Sequence, residues 1–470
     1  ADFLLSCNKK VMKSLFFLGA FLCALGIKSQ CPTESVVLDS QEAIDDFSSN
    51  YPNCTNFQET LIVEEGNGLV DNLLGLGPLT YIKEFKVRFT HLINFEGLDA
   101  LETIEALEVS NNIDLINFEG LESVQRVDII NVFDNPTLSS LSGFSGLTTV
   151  ERLNLFDNIQ LSSLQSFGGL QFIESIRIAG NQIQSLEGFE NITTITEEIF
   201  ISNEQLISLD AFSGLANFSG SLYFWNNSQL IDFSVFEQVT QLENLLVVAC
   251  DQVQNLEGFA SLEVVDDFFR FGFNPQLNTL SAFANLHSVG SLDIYENALL
   301  ESLEGLEQLT MIRDNVYLLD NPSLNDISAL DQVQPFGLSE VVISRNPNLA
   351  VCDNAFICSV IFDPDIAEEI QSNANGCNSV PQVAVRCILA DESMGDGLVN
   401  GLYPNPVRHQ FFVDLAPGVD LISVTIFQGD GRQVLGADKP IMDLSFLPSG
   451  LYFAAIQTTY GSTVKKVVKH

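Results

Sequence analysis

A phrase of about 23 residues is repeated along the middle of the chain. This repeat limits the possible folds more than any other feature of the sequence. Its clearest copy is SLEGLEQL at residues 302–309. One rung of this length cannot bury its own apolar edge, so successive rungs must stack, and we predict a solenoid of about 12 rungs. The second apolar residue of the phrase marks the rungs at Leu76, Leu98, Leu121, Phe144, Phe167, Phe189, Phe212, Phe236, Phe259, Phe283, Leu306 and Leu330.

A short segment with alternating apolar residues precedes each phrase, as in Leu153-Asn154-Leu155 and Leu292-Asp293-Ile294. Alternation with a period of two predicts a strand that turns one face inward. The strands of stacked rungs should form a parallel sheet with right-handed crossovers. Each rung then has room only for a short 3₁₀-like or irregular return.

A polar corner follows each strand, three residues after its second apolar residue. Buried asparagine side chains at such a corner can bridge backbone groups that the turn leaves unpaired, so we interpret them as structural rather than ligand-binding. We assign Asp251 and Thr90 to the same position in two further rungs, and Asn203 lies one residue out of register. The predicted ladder consists of Asn112, Asn135, Asn158, Asn181, Asn227, Asn274, Asn297, Asn321 and Asn346.

A small residue usually comes directly before the second apolar residue of the phrase. We interpret this position as one where no side chain larger than a methyl group fits readily, although Ser166 and Val235 break the pattern. The small residues are Gly97, Gly120, Gly143, Gly188, Gly258, Gly305, Ala211, Ala282 and Ala329.

The N-terminus has the pattern of a secretory signal peptide, which we place at residues 1–29. A basic segment around Met12 precedes an apolar run at 15–27 that is too short to span a membrane. Because Met12 begins a well-formed signal, residues 1–11 fit an over-extended gene start. The alternative is a buried N-terminal helix. Export would place the later cysteines in an oxidising compartment, where pairing is expected.

Charge is distributed unevenly along the chain. The whole chain carries 61 acidic and 20 basic residues. Such an excess argues against a nucleic-acid partner, because a polyphosphate would be repelled. Residues 30–402 hold 55 acidic and 10 basic side chains, whereas residues 403–470 hold 5 and 6. This shift predicts a domain boundary near residue 400, with residues 391–401 as a linker.

The repeat resembles the leucine-rich-repeat-like L domain of receptor ectodomains and related bacterial surface proteins. The resemblance rests on the pattern L-x-I-x-x-N-x-x-L-x-x-L-x-G-L-x-x-L-x-x-I and on the cysteines at both ends, and it covers residues 31–387. It implies an N-terminal cap at 30–60, a solenoid at 61–350 and a cysteine-rich C-terminal cap at 351–390. It says little about the ligand, because such domains bind many kinds of partner.

By the same resemblance, both caps should carry disulfide bonds. The N-terminal cap should contain a short helix that begins after Ser40. Cys250 is left over, and we expect an unpaired thiol rather than a nucleophile, since no His, Lys or Arg is adjacent to it in sequence. The bonds that we favour are Cys31–Cys54 and, among the three pairings possible in the C-terminal cap, Cys352–Cys377 with Cys358–Cys387.

The last part of the chain has a different character. Short alternating segments separated by turns predict a small β-sandwich at residues 402–470. The opening Tyr403-Pro404-Asn405-Pro406, the segment LPSGLY at 447–452 and the basic last strand resemble the type IX secretion C-terminal sorting domain of Bacteroidota-type bacteria. The alternative is an ordinary accessory sandwich.

The resemblance to the sorting domain implies a partner and a location. It implies that the type IX secretion machinery recognises residues 402–470 and removes them. Attachment of the remaining protein to outer-membrane lipopolysaccharide is one route open after this processing. The resemblance places the protein outside a Gram-negative cell, either secreted or on the outer surface.

No known catalytic motif is present in the sequence. The chain lacks a P-loop, the dinucleotide-binding glycine pattern, H-E-x-x-H, G-x-S-x-G and C-x-x-C. Its four histidines are scattered, which argues against a His-based metal site. Adjacent carboxylates such as Asp266-Asp267 face opposite sides of a strand. We therefore predict no enzymatic activity, no metal and no cofactor.

The outward face of the sheet carries the best functional clue. Side chains four, two and one residue before the corner should point outward or lie at the strand edge, and aromatic residues occupy several of these positions. Exposed aromatic rings among amides and carboxylates can stack on sugar rings or anchor a protein partner. The alternative is that they only cover the sheet. The predicted ligand-binding residues are Phe133, Phe156, Tyr223, Trp225, Phe273, Tyr295 and Tyr317.

Together these features predict a mainly β, exported, non-enzymatic protein that binds a glycan or a protein through the outer face of the solenoid sheet, with adhesion as the expected role. Two alternatives stay open. One is a structural envelope or matrix protein without a discrete ligand. The other is a glycan-active enzyme, which a carboxylate pair in a cleft would support.

Overall fold

The computed structural model describes residues 30–66, 68–215, 218–390, 398–428, 432–459 and 461–470. The predicted signal peptide at 1–29 and most of the predicted linker lie outside the described residues. Strands account for 37% of the chain and helices for 11%, so the expected mainly β class is confirmed. Within the described ranges, 17 strands belong to one parallel sheet and seven strands form two small antiparallel sheets.

The chain forms two compact units. The first contains residues 30–150 and 158–160. Strand β6 (Thr149–Phe156) has its first two residues in this unit and the others in the second. The remaining elements of the first unit are β1 (Val36–Leu38), α1 (Gln41–Asp45), α2 (Phe47–Asn50), β2 (Asn56–Glu64), β3 (Tyr81–Arg88), β4 (Thr103–Ser110) and β5 (Arg126–Phe133).

The second unit contains residues 151–157 and the described residues from 161 onward. Its first part continues the repeat, and two helices follow the last rungs. These elements are β7 (Phe172–Ala179), β8 (Thr194–Ser202), β9 (Ser221–Trp225), β10 (Gln241–Leu242), β11 (Asn244–Val248), β12 (Val264–Gly272), β13 (Ser288–Tyr295), β14 (Met311–Ile312), β15 (Asn315–Leu319), β16 (Glu340–Ser344), α3 (Ala355–Ile361), β17 (Ala367–Gln371) and α4 (Val380–Ala390).

Strands of neighbouring rungs pair in parallel, with equivalent residues of the repeat side by side. Between β12 and β13, for example, Phe271 lies opposite Ile294 and Arg270 lies opposite Asp293. Phe271 and Ile294 are fully buried. The alternation predicted from the sequence therefore separates a core face from an outer face, by which we mean the side of the parallel sheet that faces away from the core.

Phenylalanine rings stack from rung to rung in the core of each unit. In the first unit, the ring centroids of Phe95 and Phe118 lie 5.0 Å apart. In the second unit, Phe259 lies 5.6 Å from Phe236 and 6.1 Å from Phe283. Such pairs stabilise a core by about 0.5–1.5 kcal/mol beyond the burial of their area. Phe95 and Phe118 occupy the first apolar position of the phrase, whereas Phe236, Phe259 and Phe283 occupy the second, so stacking accounts for Phe at both positions.

The return of each rung takes one of two backbone forms. In the first form, a glycine with positive φ precedes the second apolar residue, and a Cβ on Gly305 would lie 2.1 Å from the Leu280 carbonyl oxygen. In the second form, a 3₁₀ helix occupies the same place, and Ser166 and Val235 lie in such helices. The sequence predicted that nothing larger than a methyl group fits readily at this position. In the first form even the methyl group of an alanine would collide with the backbone, whereas in the second form the larger side chains of Ser166 and Val235 are accommodated. The glycines of the first form are Gly97, Gly120, Gly143, Gly188 and Gly305.

The parallel sheet extends into both segments that the sequence marked as caps. Strand β1 pairs with β2, and β17 pairs with β16. The helix expected after Ser40 is present as α1, and the Ser40 hydroxyl accepts a hydrogen bond from the Ala43 N–H at its start. The structure contains the three disulfide bonds favoured above, Cys31–Cys54, Cys352–Cys377 and Cys358–Cys387.

The chain from Val399 onward forms two antiparallel sheets, which confirms the separate antiparallel β region. Phe411 from one sheet and Ile426 and Tyr452 from the other belong to one shared buried core. Among the helices of the described residues, none is both long enough and apolar enough to cross a membrane. The three-stranded sheet consists of β18 (Val399–Tyr403), β19 (Gln410–Leu415) and β22 (Ile441–Asp443), and the four-stranded sheet of β20 (Leu421–Gln428), β21 (Gln433–Ala437), β23 (Gly450–Thr458) and β24 (Gly461–Lys469).

Candidate functional site

The nine predicted ladder asparagines are all buried at the corners of their rungs. Asn297 shows what such a side chain does. Its Nδ2 donates to the carbonyl oxygens of Phe271 and Tyr295, each at 3.0 Å, and its Oδ1 accepts the N–H of Asn274 at 3.2 Å. One carboxamide therefore satisfies backbone groups of two rungs. These side chains hold the turn together and are out of reach of a ligand.

Cys250, rather than Asp251, occupies the corner of its rung. The Cys250 N–H donates to Asn274 Oδ1 at 3.0 Å, as a ladder asparagine would, whereas Asp251 is exposed. The thiol sulfur lies 3.8 Å from the Phe224 carbonyl oxygen and 3.6 Å from that of Val248. Burial raises the pKa of the Cys250 thiol to about 12. The assignment of Asp251 to the corner is therefore wrong, and the thiol is unpaired and protonated at neutral pH.

Two further asparagines belong to the ladder. Asn203, one residue out of register in the sequence, accepts the Asn181 N–H on its Oδ1 at 3.1 Å. It reaches this place because its rung omits the positive-φ residue that precedes most corners. Asn373 accepts the Asn346 N–H at 2.9 Å. Sequence reasoning missed Asn373 because it lies in the segment assigned to the cap.

The seven predicted aromatic residues lie on the outer face or directly after its strands, and none of them is buried. Trp225 is 48% exposed and Phe273 is 50% exposed, while the other five are half-buried. Phe133 lies on β5 in the first unit, and Phe156 lies on β6. The remaining five lie on or next to β9, β12, β13 and β15 in the second unit. We call these five residues the aromatic patch: Tyr223, Trp225, Phe273, Tyr295 and Tyr317.

The strand register arranges four patch residues in two rows across β9, β11, β12, β13 and β15. Tyr223 and Tyr317 lie at the two ends of one row. Trp225 and Tyr295 belong to the second row, and buried Val248 lies between them. Because neighbouring strands are about 4.8 Å apart, a row of five strands spans about 19 Å.

Tyr295 reaches across β12 because Gly272 has no side chain. A Cβ at position 272 would lie 2.2 Å from atoms of the Tyr295 ring. The ring of Phe273 stands at 85° to the Tyr295 ring, with the centroids 5.4 Å apart. This edge-to-face contact places the two aromatic side chains next to each other, and the Tyr295 ring lies over Gly272 of β12.

Phe273 has a backbone conformation that a bulky residue seldom adopts. Its φ is 53°, in the left-handed region that costs an ordinary residue about 1–2 kcal/mol. Phe89 in the first unit has the same φ and is 57% exposed, and sequence reasoning missed it. The positive φ recurs at the residue before most corners, so it belongs to the turn of the repeat. Other rungs place at this position residues that tolerate the conformation, such as Asn111, Asp134 and Asn226, but also Ala249, Glu296 and Arg345.

Arg270 and Asp293 form an ion pair in the middle of the first row. Asp293 Oδ2 accepts hydrogen bonds from Arg270 Nε at 2.8 Å and Nη2 at 2.6 Å. The guanidinium carbon lies 4.9 Å from the centroid of the Phe268 ring. Asp293 is buried, and this burial raises the pKa of its carboxyl despite the arginine. Its Oδ1 is buried without a hydrogen-bond partner in the part of the chain that the structure describes.

The phenol groups of the patch are neutral at physiological pH. Tyr317 donates its hydroxyl to Glu340 Oε2 at 2.5 Å, and this bond raises the pKa of Tyr317 to about 12. Desolvation raises the pKa values of Tyr223 and Tyr295. Within the described ranges, no group of three or more His, Cys, Asp or Glu side chains is placed to hold a metal ion. The patch therefore offers aromatic rings, neutral hydroxyls and a compensated ion pair.

Comparison with known families identifies the C-terminal module. Residues 401–470 match the secretion system C-terminal sorting domain family, and this match does not extend to the repeat. The sorting domain shows that the chain is a secreted or cell-surface protein, exported by the type IX secretion machinery of Bacteroidetes-type bacteria, with which it interacts. A search of curated proteins found no match to the chain.

Proposed function

We propose that this exported protein is a non-enzymatic binding protein that recognises an uncharged glycan through the aromatic patch. The repeat region is then a right-handed, leucine-rich-repeat-like solenoid of the receptor L-domain type. Adhesion is the expected role, and attachment to lipopolysaccharide after removal of the sorting domain would keep the protein on the cell surface. The observation that carries the proposal is the exposure of the Trp225 and Phe273 rings within the aromatic patch.

An uncharged glycan fits the chemistry of the patch. Aromatic rings offer apolar faces to the C–H groups of a sugar, and the neighbouring hydroxyl, amide and carboxylate groups can bond sugar hydroxyls. The positive charge of Arg270 is compensated by Asp293. The acidic excess of residues 30–402 repels anionic polysaccharides. A neutral oligosaccharide meets neither an uncompensated charge nor this repulsion.

Trp225 supplies a direct readout, because it is the only tryptophan in the chain. We expect neutral cell-surface oligosaccharides, added to the purified protein, to change the intensity or wavelength of its fluorescence. Anionic oligosaccharides of the same length should not. If neither group changes the fluorescence, and Trp225→Ala leaves attachment of cells to surfaces unaltered, the aromatic patch is not a binding site.

A matched pair of variants separates recognition from backbone strain. Asn tolerates positive φ, so Phe273→Asn and Phe89→Asn should both keep or raise the thermal unfolding midpoint. Only Phe273→Asn should weaken glycan binding, by at least tenfold in calorimetric titrations, which corresponds to about 1.4 kcal/mol. Equal affinities for the two variants and the unaltered protein would contradict a site at the aromatic patch.

A further inference from the structure

The two antiparallel sheets of the sorting domain each have an outer face, and the chain itself covers part of one of them. On the four-stranded sheet, Phe427, Phe453 and Val464 pack with Val385 of α4 and with Phe362. Phe427 and Val385 are both buried in this contact. This part of the face is therefore occupied by the segment that closes the repeat region.

The outer face of the three-stranded sheet carries three large apolar side chains that nothing in the described chain covers. Tyr403 on β18 lies opposite Phe412 on β19, and Phe412 lies opposite Ile441 on β22. Their exposed fractions are 59%, 45% and 56%. Residues directly opposite each other on adjacent strands share a face, with Cβ atoms about 4.5–5.5 Å apart. These three residues, which we call the Tyr403 row, form one contiguous surface.

A hydrogen-bonded polar cluster lies beside the Tyr403 row. A Cβ on Gly401 would lie 2.9 Å from the Tyr403 ring and its hydroxyl, so this ring reaches along its own strand. Gln410 donates to Asp443 Oδ2 at 3.0 Å, two residues along from the row. Hydrogen bonds from the Ser445 side chain and N–H, and from Gln410, lower the pKa of Asp443 to about 2. An apolar surface next to charged and hydrogen-bonded groups is typical of a protein–protein interface.

We propose that the type IX secretion machinery docks on the Tyr403 row. The sorting domain interacts with this machinery, so it must present a surface that another protein can recognise. Of its two outer faces, the four-stranded one is partly covered by Val385 and Phe362, whereas the Tyr403 row on the three-stranded face is exposed. Contiguous exposed apolar side chains often mark a protein–protein interaction site. The proposal rests on the sorting domain and does not depend on glycan binding by the aromatic patch.

Export of the full chain tests the proposal. The combined change Tyr403→Thr, Phe412→Thr and Ile441→Thr keeps β-forming residues but removes the apolar row. In a bacterium with an active type IX system, we expect at least a fivefold fall in protein outside the cell, with retention inside. The matched control is Ile422→Thr with Leu451→Thr, exposed apolar residues of the four-stranded sheet. Undiminished export of the triple variant, or an equal fall in the control, would overturn the proposal.

A cross-linking measurement keeps the test decisive if the triple variant folds poorly. A photoreactive benzoylphenylalanine at position 412 replaces one exposed aromatic ring by another and leaves the row apolar. Illumination of exporting cells should join this residue to an outer-membrane component of the type IX system, identified by mass spectrometry, while the same group at position 422 should not. An adduct only with a second copy of the chain, or no adduct at 412, would contradict the proposal.

Discussion

At the scale of single residues, the corner of each rung shows what one carboxamide contributes. A ladder asparagine donates to the rung before it and accepts from that rung's corner N–H, as Asn297 does. At Cys250 the sulfur atom takes both the donor role and the acceptor role, and it accepts hydrogen bonds from Asn227. Sulfur is a weak donor and a weak acceptor, so the side-chain hydrogen bonds at this corner are weaker than those at an asparagine corner.

Cys250→Asn should therefore stabilise the protein. An asparagine would give Asn227 a full-strength acceptor and the Phe224 carbonyl a full-strength donor, and we expect the free energy of unfolding to rise by about 1 kcal/mol. Cys250→Ala removes both partners and should lower it by about 1–3 kcal/mol. Urea unfolding followed by circular dichroism measures both changes. An asparagine variant no more stable than the alanine variant would show that the carboxamide does not stabilise the corner.

At the scale of the elements, the strands follow the repeat closely, whereas the returns do not all share one geometry. Gly305 belongs to the form with positive φ, at +108°. Ala329 belongs to the 3₁₀ form, in the helix Ser328–Leu330. Both residues occupy the same position of the phrase. The backbone, and not the phrase alone, decides which side chains fit.

Exchanging the residues of the two forms should have unequal effects. In Gly305→Ala the new methyl group meets the Leu280 carbonyl and the φ is unfavourable, so we expect a loss of about 2–4 kcal/mol in the free energy of unfolding. Ala329→Gly increases only the conformational freedom of the unfolded chain, and it should lower the free energy of unfolding by about 0.5–1 kcal/mol. Thermal and urea unfolding provide the comparison. Similar losses in the two variants would mean that the two forms are not distinct.

At the scale of the whole molecule, the acidic excess opposes the folded state. Residues 30–402 hold 55 acidic and only 10 basic side chains. Ion pairs such as Arg177–Glu198 and Arg345–Asp320 lie at the surface, where solvent screening leaves them little effect on stability. The net effect of these charges is repulsion, which a compact fold increases.

Added salt should therefore stabilise the protein. Raising the ionic strength from about 10 to 150 mM shortens the Debye length from about 30 Å to about 8 Å and screens the repulsion. We expect the calorimetric unfolding midpoint to rise by several degrees, while sucrose at the same osmolality serves as the uncharged control. A midpoint that falls with salt would show that the ion pairs outweigh the repulsion.

Much of the architecture could be predicted from the sequence because each structural position of the rung occurs many times along the chain. The alternation of Leu292 and Ile294, the buried Asn297 and the small residue at 305 each recur in other rungs, so one irregular rung does not hide the pattern. The helix after Ser40 also follows from local chemistry, since a serine hydroxyl caps its first turn. These features depend on neighbours in the chain or on the periodicity itself.

The tertiary structure decided the features that occur once. The placement of Cys250 at a corner, the inclusion of Asn203 and Asn373 in the ladder, and the choice between two return forms depend on the backbone of the adjacent rung. The contact of Tyr295 with Gly272 joins residues about one repeat apart. The sequence by itself determined the repeating sheet and the sorting module. Unique contacts between rungs have no periodic signal, so only the folded chain shows which aromatic rings remain in water.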